Sequence, residues 1–403
     1  MNCSYNLKKS LKIALLISGL LVGCGNPDKK TDRKATGPFH PRIIFKDQTA
    51  PEEFQKLITE FRVIPIEYST DKIIGEIDIV KPDGDDFLVL DYNDQSIKKI
   101  SHDGKITGSF SHRGKGPGEY RTLDDFLVHP DTHEIIVVGA SSKKIIFYDS
   151  SGIFLREFKL DFWGRRMALL SEDKIICFSD RVSQNDDPPF YQLNIIDLQG
   201  RILRRYHPYD IPWSTWVFSR SELIPNNNEI FVHTFFDYNL FRINQQMDLD
   251  TLVVFDFGTH AYDTSGFARL SQEESGERRT QSPRLLFQYG TFVFEDYCYL
   301  TAGGNDMGSY WGYGRYDQDF IVHKNINNGR YLCFYNGWPV IAPMGKIGNE
   351  LVSWIDLVHL LDIWDQHPEE KVKAESHPEF KKIMDKMDIE GNPVLMLYSL
   401  RRE

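Results

Sequence analysis

The chain has 403 residues, of which 26% are charged and 41% hydrophobic, and this globular composition excludes an intrinsically disordered protein. The formal net charge is −11, and because no long basic stretch is present, the sequence excludes a general nucleic-acid-binding protein. The five cysteines are widely spaced without a CxxC pair, so we predict neither a disulfide framework nor a zinc site.

Residues 1–23 have the pattern of a lipoprotein signal peptide. A basic start precedes the short apolar run 13–22, and Leu21-Val22-Gly23-Cys24 follows at once. This tetrapeptide resembles the bacterial lipobox, in which the protein is cut before the cysteine and acyl chains on that cysteine anchor it to a membrane. The alternative is an ordinary secretory signal with a chance cysteine. Gly25, rather than aspartate, follows Cys24, which by the same resemblance predicts the outer membrane, with the body facing the periplasm or cell surface.

Residues 25 to about 37 are polar and lack apolar periodicity, so we predict a flexible tether over 24–48, before the folded body at 49–403. The stretch 62–69 then alternates apolar and polar residues as a half-buried strand does. It has no partner nearby in the sequence. We therefore predict that it closes a ring by pairing with the last sheet of the chain.

Three successive segments between residues 87 and 206 share one pattern of short apolar strands and a turn that ends in glycine. The turn glycines are evenly spaced, at positions 104, 152 and 200. A fixed period of roughly 40–50 residues built from short strands is typical of a β-propeller blade. The second strand of each segment is an unbroken apolar run, which predicts burial on both faces between stacked blades.

The blade pattern predicts an all-β fold, a six-bladed β-propeller with a helical insertion in the last blade. Helix-like spacing marks this insertion at about 351–388, and Val394 to Tyr398 returns as a strand. The sixth blade starts near Trp338. In the fifth blade we predict strands at 292–294, 297–300, 320–323 and 331–334, with a loop at 303–316. The first five blades are predicted at about 73–110, 124–160, 166–206, 221–257 and 285–334.

The lipobox, the blade period, the loop Gly-Lys-Gly-Pro-Gly-Glu-Tyr at 114–120 and the stretch Gly-Asn-Pro-Val-Leu at 391–395 occur together. In this combination the chain resembles the six-bladed β-propeller lipoproteins of Bacteroidota, which are related in shape to NHL-type and TolB-like propellers. The resemblance implies a protein that binds ligands or other proteins. It carries over no catalytic residue.

The glycine-rich loop after the first blade is the first candidate site. Arg113, Lys115, Glu119 and Tyr120 could contact an anion or a sugar acid at the mouth of the channel. The alternative is a linker between blades, whose Glu119 and Tyr120 hydrogen-bond the neighbouring blade.

Aromatic residues predicted to lie in loops are the second candidate site, because exposed flat rings stack on sugars. The alternative is that these rings cover the ends of the blades. They are Trp163, Trp213, Trp216, Tyr310 and Trp311, together with Tyr313 and Tyr316.

The paired aspartates 85–86, 124–125 and 186–187 are predicted to be solvated turns or strand ends, and we predict no metal or cofactor. We interpret the protein as a membrane-anchored module that binds a glycan, a peptide or a protein, and no nucleic acid. The alternatives are a glycan lyase or hydrolase with its site in the central channel, and a scaffold in an outer-membrane complex. Ionisable side chains that converge in the channel would favour the enzyme.

Overall fold

A computed structural model of the chain shows a ring of six four-stranded antiparallel sheets, which confirms the predicted six-bladed β-propeller. The structure describes residues 37–47, 50–70, 72–179, 190–209, 223–233, 238–261, 274, 277, 287–304, 308–327, 330–387 and 391–402. We number the blades 1 to 6 in chain order and give each strand from the channel outwards.

The first three blades follow the repeat read from the sequence. Blade 1 consists of β3 (Ile77–Asp83), β4 (Asp86–Asp91), β5 (Ser96–Ile100) and β6 (Ile106–Phe110). Blade 2 consists of β7 (Asp125–Val128), β8 (Ile135–Gly139), β9 (Lys144–Tyr148) and β10 (Phe154–Lys159). Blade 3 consists of β11 (Arg166–Ser171), β12 (Lys174–Phe178), β13 (Phe190–Asp197) and β14 (Ile202–Tyr209).

The last three blades depart further from the repeat. Blade 4 consists of β15 (Leu223–Asn226), β16 (Glu229–His233), β17 (Asn239–Ile243) and β18 (Leu249–Val254). Blade 5 consists of β19 (Phe287–Phe294), β20 (Tyr297–Gly304), β21 (Gly308–Arg315) and β22 (Phe320–Lys324), with β1 (Ile43–Lys46) added outside. Blade 6 consists of β25 (Gly345–Ile347), β26 (Glu350–Ile355), β27 (Val394–Leu400) and β2 (Ile58–Pro65).

The second strand of a blade buries both of its faces, as its unbroken apolar sequence predicts. In β8, Ile135 and Val137 pack in the apolar layer shared with blade 1. Their neighbours Ile136 and Val138 pack in the layer shared with blade 3. Successive side chains of a strand point to opposite faces, so one strand contributes to two layers, and neither blade could bury its faces alone.

The turn glycines hold each blade against the one before it. Gly104, Gly152 and Gly200 have φ of 91°, 86° and 83°, a region that favours glycine. A Cβ on Gly104 would lie 2.0 Å from the carbonyl oxygen of Pro65 in blade 6. On Gly152 and Gly200 it would lie 2.7 Å from Phe110 and 2.5 Å from Phe158, both on the outer strand of the preceding blade. The even spacing of these glycines therefore reflects one contact repeated around the ring.

The ring closes through the N-terminal strand β2, which pairs antiparallel with β27 along seven residue pairs from Ile58↔Leu400 to Pro65↔Val394. The predicted closure is confirmed, although the strand begins four residues earlier than 62 and ends at Pro65. Pro65 is tolerated because β2 is the outer edge of its sheet.

The predicted tether ends earlier than residue 48. Phe39 and Arg42 form parallel bridges with Val253 and Asp256 of blade 4, and β1 pairs in parallel with β22. The apolar side chains of Ile43 and Phe45 pack in the layer between blades 4 and 5. The tether was predicted from the polar stretch 25–37, which ends before this short apolar segment.

The sequence placed the strands of blade 5 wrongly after β20. Its third strand is β21, from the stretch predicted as a loop. The predicted strand 331–334 instead overlaps the hairpin of β23 (Cys333–Tyr335) and β24 (Trp338–Val340), so blade 6 starts at Gly345.

Helices α2 (Leu357–Gln366), α3 (Pro368–Glu375) and α4 (Phe380–Met384) form the insertion in blade 6. The predicted insertion was too long, because Leu351 to Ile355 belong to β26. The insertion packs on the β23–β24 hairpin, where the indole nitrogen of Trp364 donates to the carbonyl oxygen of Gly337 at 2.8 Å. A short helix α1 (Glu52–Gln55) buries Phe54 between blades 5 and 6. None of the described helices is both long enough and apolar enough to cross a membrane.

Candidate functional site

The innermost strands of all six blades enclose a central cavity of about 550 Å³. This volume lies within the range of roughly 300–1,000 Å³ typical of small-molecule sites. Each blade contributes polar or aromatic lining: Asp78, Asp125, Arg166, Asn226, Phe292 and Lys346 come from blades 1 to 6 in that order. Backbone edges also face the cavity, which explains why Pro82 and Pro225 are tolerated in the inner strands β3 and β15.

Lys81 and Asp125 join blades 1 and 2 at the cavity wall. The Lys81 ammonium lies 2.7 Å from Asp125 Oδ1 and also donates to the carbonyl oxygen of Phe126. Asp125 Oδ1 accepts a second bond from the Phe126 amide at 2.8 Å, and Oδ2 accepts from the Met167 amide of blade 3 at 2.7 Å. The Asp125 side chain is 3% exposed. Both of its oxygens are therefore engaged, and the carboxylate links three blades.

Arg166 and Asp78 form a longer contact across blade 2. The guanidinium of Arg166 lies 3.4 Å from Asp78 Oδ2 and donates to the carbonyl oxygen of Asp124. The Arg166 side chain is 12% exposed and that of Asp78 is 22% exposed. At this distance the two charges attract but form a poor hydrogen bond.

Lys346 is the third cation of the cavity, and its neighbours are neutral acceptors. Its ammonium nitrogen lies 3.3 Å from Asn226 Oδ1 of blade 4 and 4.9 Å from the ring centre of Phe294 in blade 5. Burial and, to a smaller extent, the positive charge of Arg402 lower the pKa of Lys346 to about 8. At neutral pH the side chain therefore remains mostly charged, although burial disfavours the charged form.

The cavity is positive inside an acidic chain. Its charged lining comprises Lys81, Arg166 and Lys346 against Asp78 and Asp125, whereas the chain as a whole has a net charge of −11. The amides of Asn226, Asn227 and Asn349 add donors and acceptors. This arrangement can bind a small polar molecule by hydrogen bonds and favours negative charge on it. Among the described residues, no three His, Cys, Asp or Glu side chains come together in a way that could hold a metal ion.

The predicted loop site lies away from this cavity. The loop follows β6, the outer strand of blade 1, and its residues Arg113, Lys115, Glu119 and Tyr120 are absent from the cavity lining. Arg113 and Lys115 are exposed, so ligand contact through them stays a prediction.

Tyr120 of that loop makes the contact of a linker between blades, whereas Glu119 bonds within the loop. Tyr120 is fully buried, and its hydroxyl donates to the carbonyl oxygen of Gln95 in blade 1 at 2.9 Å. Glu119 instead accepts from the Gly116 amide of its own loop at 2.7 Å. In blade 2, the Tyr148 hydroxyl donates to the Gly118 carbonyl at 2.8 Å, which fixes the loop to the next blade.

The aromatic candidates do not form a platform in the part of the chain that the structure describes. Tyr310 and Trp311 lie in strand β21 and are 1% and 4% exposed, which corrects their predicted position in a loop. Tyr313 belongs to the same strand, and Tyr316 is buried in the turn that follows it. Trp163 is half-buried, with Lys143 5.2 Å above its ring. Trp213 and Trp216 lie outside the described residues.

The residues that line the cavity were not predicted as site residues from the sequence. Asp124 and Asp125 were predicted to be solvated, yet Asp125 is buried on the inner strand of blade 2. Lys81 and Lys346 each lie in a short strand beside apolar residues and belong to no recognised motif. The available signal was a charged residue in the first strand of a blade, because these strands surround the channel of a propeller.

Comparisons with known proteins agree with the ring. A profile described as a domain of unknown function, DUF4934, matches residues 43–399. A Bacteroides fragilis protein described as exported superposes with a TM-score of 0.69 at 13% identity, covering 90% of this chain and 99% of its own. A DUF4221 family member from Bacteroides vulgatus has a TM-score of 0.50 at 9% identity, covering 86% and 97%. At such identities these two structures are evidence of the fold alone.

No curated protein matches the sequence. The profile match covers most of the chain, and with the Bacteroides neighbour it confirms the predicted family of six-bladed propellers from Bacteroidota. The chain belongs to the DUF4934 family.

Proposed function

We propose that the protein is an extracytoplasmic binding module whose ligand, a small glycan or peptide, occupies the central cavity. The observation that carries the proposal is a cavity of about 550 Å³ to which every blade brings part of a mixed polar and apolar lining. A concave site with a few convergent polar groups is the usual form of a small-molecule site. The site lies inside the channel, deeper than the loops at its mouth.

The engagement of Asp125 favours binding over catalysis. Ionisable side chains do converge in the cavity, which was our criterion for an enzyme. However, both oxygens of Asp125 already accept hydrogen bonds from Lys81 and from backbone amides. A general acid or base must be free to exchange a proton with the ligand. Asp125 therefore has a structural role in the wall of the cavity.

A glycan lyase or hydrolase is the second candidate, because Asp78 is in the same cavity and is only loosely held by Arg166 at 3.4 Å. Product analysis of each bound glycan by mass spectrometry separates the two functions. Turnover that is lost in Asp78→Asn while the glycan still binds would establish the enzyme. Unchanged glycan after long incubation supports the binding module.

Replacing Asn349 with tryptophan is expected to abolish ligand binding. Asn349 lies in the exposed turn between β25 and β26 and lines the cavity, so an indole there fills space that the ligand needs. Glycans and short peptides are screened by thermal shift, since a ligand at a hundredfold excess over its Kd stabilises the fold by about 2.7 kcal/mol.

The control for this variant is Gln199→Trp, which adds the same ring to an exposed turn of blade 3 outside the cavity lining. Ligands identified with the unaltered protein should still stabilise the control. If they stabilise Asn349→Trp equally well, the central cavity is not the binding site.

We further propose that the protein is anchored to the outer membrane by acyl chains on Cys24. The support is the lipobox-like tetrapeptide 21–24 after a basic and apolar start, and the Bacteroides fragilis relative that is described as exported. Several acyl chains on one residue give a stable anchor, because each buried methylene contributes about 0.8 kcal/mol.

Cys24→Ser is expected to release the protein from the membrane fraction of the cell. Cys3→Ser is the matched control, because Cys3 lies in the same segment outside the tetrapeptide and should leave the protein membrane-bound. Cell fractionation with immunoblotting measures the distribution. Retention of Cys24→Ser in membranes would contradict the anchor, and wild-type protein found only in inner membranes would contradict the outer-membrane location.

A further inference from the structure

Lys346 differs from the other two cations of the cavity in what surrounds it. The ammonium of Lys81 has the Asp125 carboxylate at 2.7 Å, and Arg166 has Asp78 at 3.4 Å. Among the described residues, no carboxylate oxygen lies within 4.0 Å of the Lys346 ammonium, which contacts only the Asn226 amide oxygen and the Phe294 ring. A half-buried ammonium without a counter-ion is costly, so an anion supplied from outside would bind there favourably.

We infer that Lys346 binds a carboxylate group of the ligand, and hence that the cavity selects small organic acids over their neutral analogues. This inference rests on the proposed function and specifies the class of its ligand. Asn226 is already bonded to Lys346, and Asn227 and Asn349 line the same cavity, so hydroxyl or amide groups of the acid find partners there.

The other charged groups that line the cavity near Lys346 already have partners. Strand β3 brings Asp78 and Lys81, of which Lys81 is paired with Asp125 and Asp78 faces Arg166. Strand β19 brings Phe292 and Phe294, and β15 brings Asn226.

Arg402, whose charge acts on Lys346, and Glu350 of the adjacent strand are both paired with other residues. Arg402 pairs with the exposed Glu295 at 3.5 Å, and Glu350 of β26 pairs with Arg62 at 2.8 Å. The charge balance of the lining stays at one excess cation, and a monoanion neutralises it.

Two kinds of ligand could supply this carboxylate: an acidic sugar, or a short peptide through its C-terminus. Two pairs of compounds separate them and isolate the charge: galacturonate with its methyl ester, and triglycine with its amide. Within each pair only the charge of the carboxyl group changes substantially. The pair whose acid binds more tightly identifies the source.

The test is calorimetric titration of the full-length protein, kept in detergent, with all four compounds. At least one acid should bind about tenfold or more tightly than its neutral partner, as expected for a charge-assisted hydrogen bond. Lys346→Met should remove this preference, and Lys346→Arg should keep it. The control Lys382→Met removes an exposed lysine of α4 and should change nothing.

A second readout follows from the pKa of Lys346, which burial lowers to about 8. A bound carboxylate favours the charged ammonium and raises this pKa again, so near pH 8 binding should take up about half a proton. Heats measured in buffers of different ionisation enthalpy report the uptake, and acid affinity should fall as pH rises above 8. Lys346→Met should show no uptake.

Equal binding of acids and neutral partners, blocked by Asn349→Trp, would overturn the inference and leave the proposed function intact. Absence of binding by both acids, while the neutral compounds bind, would do the same. Binding of any compound that survives Asn349→Trp would place the site elsewhere and overturn both proposals.

Discussion

Replacing Asp125 with alanine is expected to lower the free energy of unfolding by about 3 to 5 kcal/mol. The carboxylate is the counter-ion of Lys81 at 2.7 Å and accepts the Phe126 and Met167 amides. Its removal leaves a mostly buried ammonium and two backbone donors without their acceptor. Each loss carries the desolvation cost of the stranded group.

Urea unfolding followed by fluorescence measures this effect. Asp85→Ala is the control, because Asp85 is exposed in the β3–β4 turn and its loss should change stability by less than about 0.5 kcal/mol. The double variant Lys81→Met with Asp125→Leu should recover only the part of the loss that comes from the stranded ammonium, because the Phe126 and Met167 amides still lack their acceptor. A loss below about 1 kcal/mol for Asp125→Ala would show that the pair does not hold the blades together.

Replacing Asn392 with alanine is the second large effect, with an expected loss of about 3 to 5 kcal/mol, because this buried side chain makes three hydrogen bonds. Asn392 Oδ1 accepts from the Ile74 amide at 2.6 Å, and Nδ2 donates to the carbonyls of Lys72 and Glu67 at 2.8 and 2.5 Å. These partners belong to the segment between β2 and β3. Asn392, directly before β27, therefore fastens the closing blade to the first.

Thermal and urea unfolding measure the Asn392→Ala variant against Asn93→Ala, an exposed asparagine of the β4–β5 turn. The control should unfold as the unaltered protein does. If both variants lose the same small amount, Asn392 only caps a loop, and the ring is held closed by the β2–β27 pairing alone.

The sequence predicted blades 1 to 3 because their turn glycine is a physical requirement. In blades 1 to 3 a positive φ disfavours a side chain and the close approach of the preceding blade leaves no room for one, so the glycine recurs. In blade 4 the corresponding turn contains Met247, with φ of 67° and an amide that donates to Asn244 as the turn glycines donate three residues back. Its carbonyl accepts from Tyr206 of blade 3. Because this position is a methionine, the glycine pattern is lost from the sequence of blade 4, although the same turn forms.

Blade 5 was misread because glycine there serves packing. In β21, a Cβ on Gly312 would lie 2.5 Å from the ring of Phe320 on β22. The glycine makes room for this ring within the sheet. In a sequence, a glycine that admits a neighbour and a glycine that turns the chain look the same, so a Gly- and aromatic-rich stretch predicted a loop.

The cavity could not be assembled from the sequence for a different reason. Lys81, Asp125, Arg166 and Lys346 each lie about one blade or more from the next, and no short motif connects them. Only closure of the ring brings Lys346 near Asn226 and Arg166 near Asp78. The family match covers the ring, at residues 43–399, whereas the chemistry of the channel depends on single charged residues.

The segment of residues 39–46 has a practical consequence for anyone who shortens the protein. It covers the outer edges of two sheets, with Phe39 bonded to Leu252 and Val254 of β18 and β1 paired with β22. A shortened chain that begins after residue 48 would expose backbone donors and acceptors on both edges. Such edges favour edge-to-edge association of sheets from different molecules. A soluble version for crystallisation should therefore begin no later than Gly37, and a purification tag is best joined upstream of that residue.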